Sequence, residues 1–226
     1  PETFGPGDRP ESIRYDGRLR IVDLPGFKEG EFTVQDETAM AAAALLAPEP
    51  GQSVLDLCAA PGTKTTHLAE LMNNEGHIIA ADIDSRRLKR IEDNARRLNL
   101  SIIEPLRIPE DLSELPHTEF DGILADVPCS NTGVMGKRAE VRSRLQAAEI
   151  QELSELQQRI ITAAATRLKV GGRMVYSTCS IEPEENFGTL EAFLKTHENF
   201  EILETHEYLP GRPSDGGFQA LLRRMS

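Results

Sequence analysis

Two cysteines carry the strongest chemical signal in the chain. Cys129 stands in ILADVPCSNTGV and Cys179 in VYSTCSIEPEEN, each just past an apolar run and flanked by hydroxyl residues. A lone cysteine is more often a small buried hydrophobe than a nucleophile, and that is the expectation for the third, Cys58. A pair set this way suits covalent catalysis. A thiolate adding to carbon 6 of a cytosine makes carbon 5 enamine-like and able to accept a methyl group; loss of the carbon 5 proton and elimination of the sulfur then restore the ring. One thiol serves the addition and another can assist release. Asp126, in the same run as Cys129, brings a carboxyl group within reach of such a base. No cysteine falls in a CxxC or Cys/His spacing, so no metal site is expected, and the scattered thiols build no disulfide framework.

A second cluster reads as a cofactor loop. After the apolar run SVLDL comes CAAPGTKTTHL, where Cys58, Ala59, Ala60, Pro61, Gly62, Thr63 and Lys64 form a tight turn of mostly small residues opening a helix. Small side chains let a ligand approach the backbone, and the helix start offers free N–H groups. The dinucleotide fingerprint GxGxxG is absent, and GxxxxGK[ST] fails because Thr63 follows Gly62. The next apolar run ends in ADID. Asp82 is placed to take both hydroxyls of a ribose, whereas Asp84 suits the cap of the helix starting near Ser85. A ribose-binding acid without a diphosphate cradle fits a nucleoside cofactor lacking phosphate, of which S-adenosylmethionine is the common one. The alternative is that CAAPG is only a tight turn and Asp82 a solvated strand end.

These residues need elements to hold them. QDETAMAAAALLA is a strong helix ended by APEPG, and strand SVLDL, helix TTHLAELM, strand HIIAADI and a helix from Ser85 follow. A short apolar run at Ile102 and Ile103, strand GILAD, a long helix through Leu168 and strand RMVYST continue the alternation; a helix with Phe187 and Phe193, then FEIL and FQALL as strands, close it. Strands alternating with helices predict an α/β, Rossmann-like fold: a mostly parallel sheet with helices on both faces and ligands beyond the carboxyl ends of the strands. Residues 1–34 read as an irregular segment with one or two strands, RLRIVDL among them, the remnant of a substrate-side subdomain, and residues 35–226 as the catalytic domain.

Composition bounds the reading. With 226 residues, 39% of them hydrophobic, the chain suffices for one ordinary domain with a full core. No apolar run approaches the roughly 18 to 20 residues that span a bilayer, and PETFGPGDRP is no signal peptide, so a soluble, cytoplasmic protein with reduced thiols is expected. A net charge of −12 counts against a stand-alone binder of nucleic acid. It is compatible with a catalytic module that has a local basic groove, or whose RNA-gripping domain lies outside this sequence.

The motifs FTVQDETA, VLDLCAAPGTKTTHLAEL, ADIDSRRL, LADVPCSNTGV and VYSTCSIEPEEN, in this order, resemble those of the RNA 5-methylcytosine methyltransferases, nearest the bacterial Fmu/Sun (RsmB-type) branch acting on small-subunit ribosomal RNA. The likeness runs from about Leu24 to FQALLRR. It implies an S-adenosylmethionine-dependent enzyme forming 5-methylcytosine in RNA. Cys58 through Lys64 together with Asp82 would bind the cofactor, Cys179 would be the nucleophile and Cys129 would assist product release. Asp126 would sit between cofactor and base.

The chain departs from the family in places. Ile108 stands where the family carries an Asp toward the adenine. MGKRAEVRSRL keeps Lys137, Arg138, Arg142 and Arg144 but not the His-Pro of a substrate-facing turn, and reads equally as a solvated helix face. The Arg pairs at 86–87 and 96–97 read as solvated, and His67 and His117 receive no role. Two other functions stay open: a methyltransferase for a protein or small molecule, which leaves the paired cysteines without a task, and a non-catalytic RNA- or cofactor-binding pseudo-enzyme.

Overall fold

Val54 and Leu55 are adjacent in the strand SVLDL, yet they pack into two different apolar clusters, Val54 with Leu68, Met72 and Ile78, Leu55 with Ile123, Ile160 and Phe193. The same split separates Ile78 from Ile79, Leu124 from Ile123 and Val175 from Tyr176. Successive side chains of a strand point to opposite faces, so a sheet buried on both faces must read as an unbroken apolar run. The computed structural model, which describes residues 3–138, 140–141, 145–211 and 214–226, has that architecture.

Strands β1 (Thr3–Pro6) and β2 (Ile13–Asp16) form a small antiparallel hairpin. The central sheet is built from β3 (Ser53–Leu57), β4 (His77–Asp82), β5 (Ile103–Arg107), β6 (Phe120–Asp126), β7 (Leu168–Thr178), β8 (Phe200–Tyr208) and β9 (Gly217–Arg224) in the order β5-β4-β3-β6-β7-β9-β8. Pairings among the first five are parallel, and β9 pairs antiparallel with both β7 and β8. Helices α1 (Glu37–Leu46) and α2 (Thr63–Leu71) supply Leu46, Leu68 and Ala69 to one face. On the other, α4 (Ala147–Ala165) and α5 (Phe187–Leu194) supply Ile160, Ile161, Leu190 and Phe193. Helix α3 (Ser85–Arg97) sets Leu88 and Ile91 against Ala59, Ala60 and Ala80.

Local signals explain the helix ends. Asp36 accepts from Thr38 N at 3.1 Å to cap α1, and Asp84 accepts from Arg86 N at 2.8 Å to cap α3. Helix α4 opens on a capping box between Gln146 and Glu149. A helix as short as α1 is marginal alone. Burying a side chain such as Leu46, at roughly 1.5–3 kcal/mol, decides its stability more than propensity does.

Two expectations need correction. RLRIVDL is not a strand: Ile21–Asp23 is a 3-10 turn, closed by Leu24 N donating to Ile21 O at 3.0 Å and by the Arg20–Asp23 ion pair at 2.8 Å. The strands of this region are β1 and β2 instead. Nor are the arginines of α3 all solvated. Arg97 lies over the Phe27 ring, 4.2 Å from its centroid, and donates to the carbonyls of Phe27 and Phe32, fastening the segment before α1 to the domain.

Candidate active site

In the parallel part of the sheet the order reverses at β3, which has β4 on one side and β6 on the other. Such a switch point opens a crevice beyond the carboxyl ends of the strands. Cys58 follows β3, Ile83 follows β4, Val127 follows β6 and Cys179 follows β7, so the residues singled out in the sequence meet at this edge.

The two thiol loops converge most closely. Cys129 Sγ and Cys179 Sγ are 3.0 Å apart, and both thiols are free. Asn131, in the left-handed region at φ 62°, uses its side chain twice: Nδ2 donates to Cys129 O at 2.8 Å and Oδ1 accepts from the Cys179 thiol at 3.1 Å. Gly133 N donates to Cys179 O at 3.0 Å. Only glycine fits there, because a Cβ on Gly133 would lie 2.3 Å from Gly216 O and 2.9 Å from Cys179 O.

The sulfurs differ in acidity. The hydrogen bond from Cys129 lowers the Cys179 thiol below its ordinary value despite burial, with Lys64 and Arg138 adding to the effect. Cys129 goes the opposite way, raised first by its hydrogen bond to Cys179 and then by burial, with Glu185 contributing. Of the two, Cys179 is therefore the thiol that gives up its proton first.

Lys64, in the first turn of α2, joins Asp126 at the end of β6. Lys64 Nζ donates to Asp126 Oδ2 at 2.7 Å, and Ser177 Oγ, opposite Asp126 in the β6–β7 register, donates to Oδ1 at 2.9 Å. Burial works against the Lys64 ammonium, but Asp126 and Asp56 together raise it above its ordinary range.

Asp82 is almost fully buried, with Oδ2 accepting from Ala60 N at 3.1 Å and Oδ1 from Asp84 N at 3.0 Å. Arg87, although exposed, reaches back to donate to Ala60 O and lies 3.7 Å from Asp82 Oδ1, so this solvated arginine also holds the loop. Ala59, Ala60 and Gly62 are buried in the turn, while Pro61 is exposed. A Cβ on Gly62, where φ is 99°, would meet Ile91 of α3 at 3.1 Å. Cys58 adopts φ 60°, and burial first, then Asp82, Asp126 and Asp56, push its thiol far up, which disfavours the thiolate a nucleophile needs.

Asp56, at the end of β3, was not singled out by the sequence reading. Thr65 donates to its Oδ2 at 2.6 Å, while the buried Oδ1 has no partner among the described residues. Burial first, then Asp126 and Asp82, raise its carboxyl to about 7. An orphaned acidic oxygen among three aspartates and one lysine fits a cationic ligand. S-adenosylmethionine, with an ammonium and a sulfonium against one carboxylate, is such a ligand, and the carboxylate of Asp82 suits its ribose.

Beyond β4 and β5 lies an open cleft of ≈ 390 Å³, lined by Ile83, Asp84, Arg86, Arg107, Ile108 and Glu110 among others. Ile108 is buried and donates from its backbone to Asp82 O at 3.1 Å, so its side chain brings only apolar surface to this wall. The basic segment divides. Lys137 is held by Asp36 at 3.0 Å and Asp215 at 2.7 Å, which neutralises it within the fold, and Arg138 is exposed near the thiols. Arg142 and Arg144 lie outside the described residues. His67 is buried, its nearest acid being Glu11 at 3.5 Å, and burial holds its imidazole below the ordinary value.

Glu185, within EPEEN, was also not singled out. It is fully buried and accepts from Ser130 N at 2.8 Å, Gln157 Nε2 at 2.9 Å, and the hydroxyls of Ser130 and Ser180.

The sheet and its ligand edge define a Rossmann-like domain of the S-adenosylmethionine-dependent methyltransferase class. The family described as 16S rRNA methyltransferase RsmB/F matches residues 43–222, and the chain belongs to that family. It is 40% identical to ribosomal RNA small subunit methyltransferase B of Proteus mirabilis over 226 residues, covering 98% of this chain and 53% of the relative. Among solved structures, it is similar to PH0851 with a TM-score of 0.93 and 37% identity, over 99% of this chain and 54% of that one. NSun6 from Pyrococcus horikoshii, solved with SFG, an S-adenosylmethionine analogue, matches with a TM-score of 0.84 and 29% identity, over 92% of this chain and 57% of that one. The chain spans about half the length of the curated relatives it matches. Among the described residues no helix is long and apolar enough to cross a membrane.

Proposed function

We propose that the chain transfers a methyl group to carbon 5 of a cytosine in ribosomal RNA through a covalent adduct on Cys179. The observation that carries this reading is the 3.0 Å approach of two free thiols at the edge that also holds the small-residue loop and Asp82. A methyltransferase for a protein or small molecule needs no such pair.

The cofactor would be held by the backbone of Cys58 through Lys64, by Asp82 at the ribose and by the free oxygen of Asp56 at the amine. When bound, S-adenosylmethionine supplies the methyl group as an electrophile. The residues of the chain prepare the acceptor. The Cys179 thiolate adds to carbon 6 of the ring, forming an S–C bond and moving the double-bond electrons into the ring so that carbon 5 becomes nucleophilic. Asp126 accepts from the exocyclic amine of the base, and Lys64 beside it offers a positive charge to the electron-rich ring. Once carbon 5 is methylated its proton passes to a solvent water, the electrons of that C–H bond re-form the ring double bond, and the S–C bond breaks to return the Cys179 thiolate. Cys129, in contact with the departing sulfur, assists this release.

Gripping RNA asks more of the surface than a chain of net charge −12 offers, so the reading includes an RNA-binding part outside this sequence and a cytoplasmic site of action. Labelled S-adenosylmethionine incubated with the protein and unmodified 16S rRNA, followed by nucleoside analysis, tests the reaction. Label in 5-methylcytidine is expected. Label in another base or in protein overturns it.

A further inference from the structure

The chemistry proposed above needs one of two touching thiols to ionise and the other to keep its proton, yet Cys129 and Cys179 are chemically alike. Something nearby must break the symmetry. Among the described residues, five charged or titratable groups bear on the pair: Lys64 from the first turn of α2, Asp126 from the end of β6, Arg138 from the exposed turn, and Tyr176 and Glu185 from the buried side. Lys64 and Arg138 act on Cys179. Glu185 acts on Cys129.

The placement of Glu185 is built, not incidental. The peptide groups on both sides of Cys129 are clamped, with Pro128 O accepting from Gln157 Nε2 at 2.9 Å and Ser130 N donating to Glu185 Oε1 at 2.8 Å. Gln157 also donates to Glu185, and Tyr176 donates to Gln157 Oε1 at 3.1 Å and to Glu185 O at 2.6 Å, closing a buried network under the loop. The same carboxylate reaches the residue after Cys179 through the Ser180 hydroxyl, and Ser130 and Ser180 hydroxyls are 3.1 Å apart. Buried polar networks hold geometry because each unmet partner costs free energy. Here the acceptor common to both cysteine loops is one carboxylate.

We propose that Glu185 is a positioning residue for the two-thiol centre: its carboxylate bridges the loops of Cys129 and Cys179, fixes the spacing of the sulfurs and sets its charge against the peptide that follows Cys129. This rests on the covalent reading for its purpose but not for its test. Glu185 touches neither the substrate nor the reacting atoms; it acts through Ser130 and Ser180.

The test compares Glu185→Gln and Glu185→Ala with the wild-type chain by iodoacetamide alkylation, with each cysteine quantified by peptide mass spectrometry between pH 6 and 10. In Gln the amide oxygen can keep the two N–H donors of Oε1 while the Ser130 and Ser180 hydroxyls rotate to accept, so this variant keeps the packing and loses the charge. Wild type is expected to label at Cys179 first. In Glu185→Gln the Cys179-to-Cys129 labelling ratio at pH 8 should fall about tenfold, with the thermal midpoint little changed. Methyl transfer should drop in kcat with KM for RNA unchanged. Glu185→Ala should lose the selectivity as well and unfold earlier; if it does not fold, Glu185→Gln decides alone. An unchanged labelling ratio in Glu185→Gln overturns the proposal. A wild type with selective thiols but no RNA methylation would instead count against the covalent reading and leave the role of Glu185 standing.

Discussion

Lys64 Nζ lies 2.7 Å from Asp126 Oδ2, an ion pair that ties the first turn of α2 to the end of β6. Both side chains are largely buried, and Lys64 also lowers the acidity threshold of Cys179. Lys64→Met would leave Asp126 facing the thiol uncompensated. Alkylation of Cys179 at pH 7.5 should slow by on the order of tenfold, as expected when a nearby compensating charge is removed. A rate equal to wild type would detach Lys64 from the thiol.

Gly133 offers a purely steric test. An added Cβ would press on Gly216 O at 2.3 Å, where backbone meets backbone and neither can yield as a side chain does. Gly133→Ala should cost roughly 1–3 kcal/mol as overpacking does, which for a domain of this size lowers the thermal midpoint by about 2–12 °C. Because Gly133 N also holds Cys179 O, the variant should lose selective alkylation of Cys179 before it unfolds. Calorimetry and site-resolved labelling of one preparation check both.

Much of this was legible in the primary structure. Short continuous apolar runs such as SVLDL and GILAD, bounded by turn residues, read as strands buried on both faces, and with HIIAADI and RMVYST they bring Asp82, Asp126, Cys129 and Cys179 to one edge. What stayed hidden depends on partners distant in sequence. Asp56 reads as one more residue of a buried strand, and only the sheet reveals that its Oδ1 has no partner among the described residues. Glu185 sits among other acids in EPEEN, which looks like a solvated run until Ser130 and Gln157 close over it. Arg87 and Arg97 lie at the polar edge of an amphipathic helix, where side-chain reach rather than periodicity decides what they touch. RLRIVDL failed as a strand because a strand needs a ladder partner, which composition does not specify.

Asp56 gives the site a pH dependence. Its carboxyl is raised to about 7, so below that pH the folded protein holds a proton that an unfolded chain would release near ~3.9. The sign follows: this group's contribution to stability is full below the unfolded value and is lost as pH rises through about 7. Asp56→Asn should therefore raise the thermal midpoint at pH 8 by several degrees. Cofactor affinity runs the other way, since a cationic ligand needs the carboxylate. Binding of S-adenosylmethionine should strengthen up to about tenfold per unit between pH 6 and 7, with uptake of the ligand releasing a proton, and Asp56→Asn should flatten the profile. Titration calorimetry in buffers of different ionisation enthalpy counts that proton.

The covalent role of Cys179 is tested most directly by what each cysteine variant leaves attached to RNA. With Cys179 as nucleophile and Cys129 serving release, Cys129→Ala should add to the base, allow methylation and stall, so that labelled 16S rRNA migrates with the protein on a denaturing gel. Cys179→Ala should form no adduct and transfer no methyl group. Adduct formation by Cys179→Ala but not by Cys129→Ala would reverse the two roles, and methylation retained in both variants with no adduct in either would contradict the covalent mechanism.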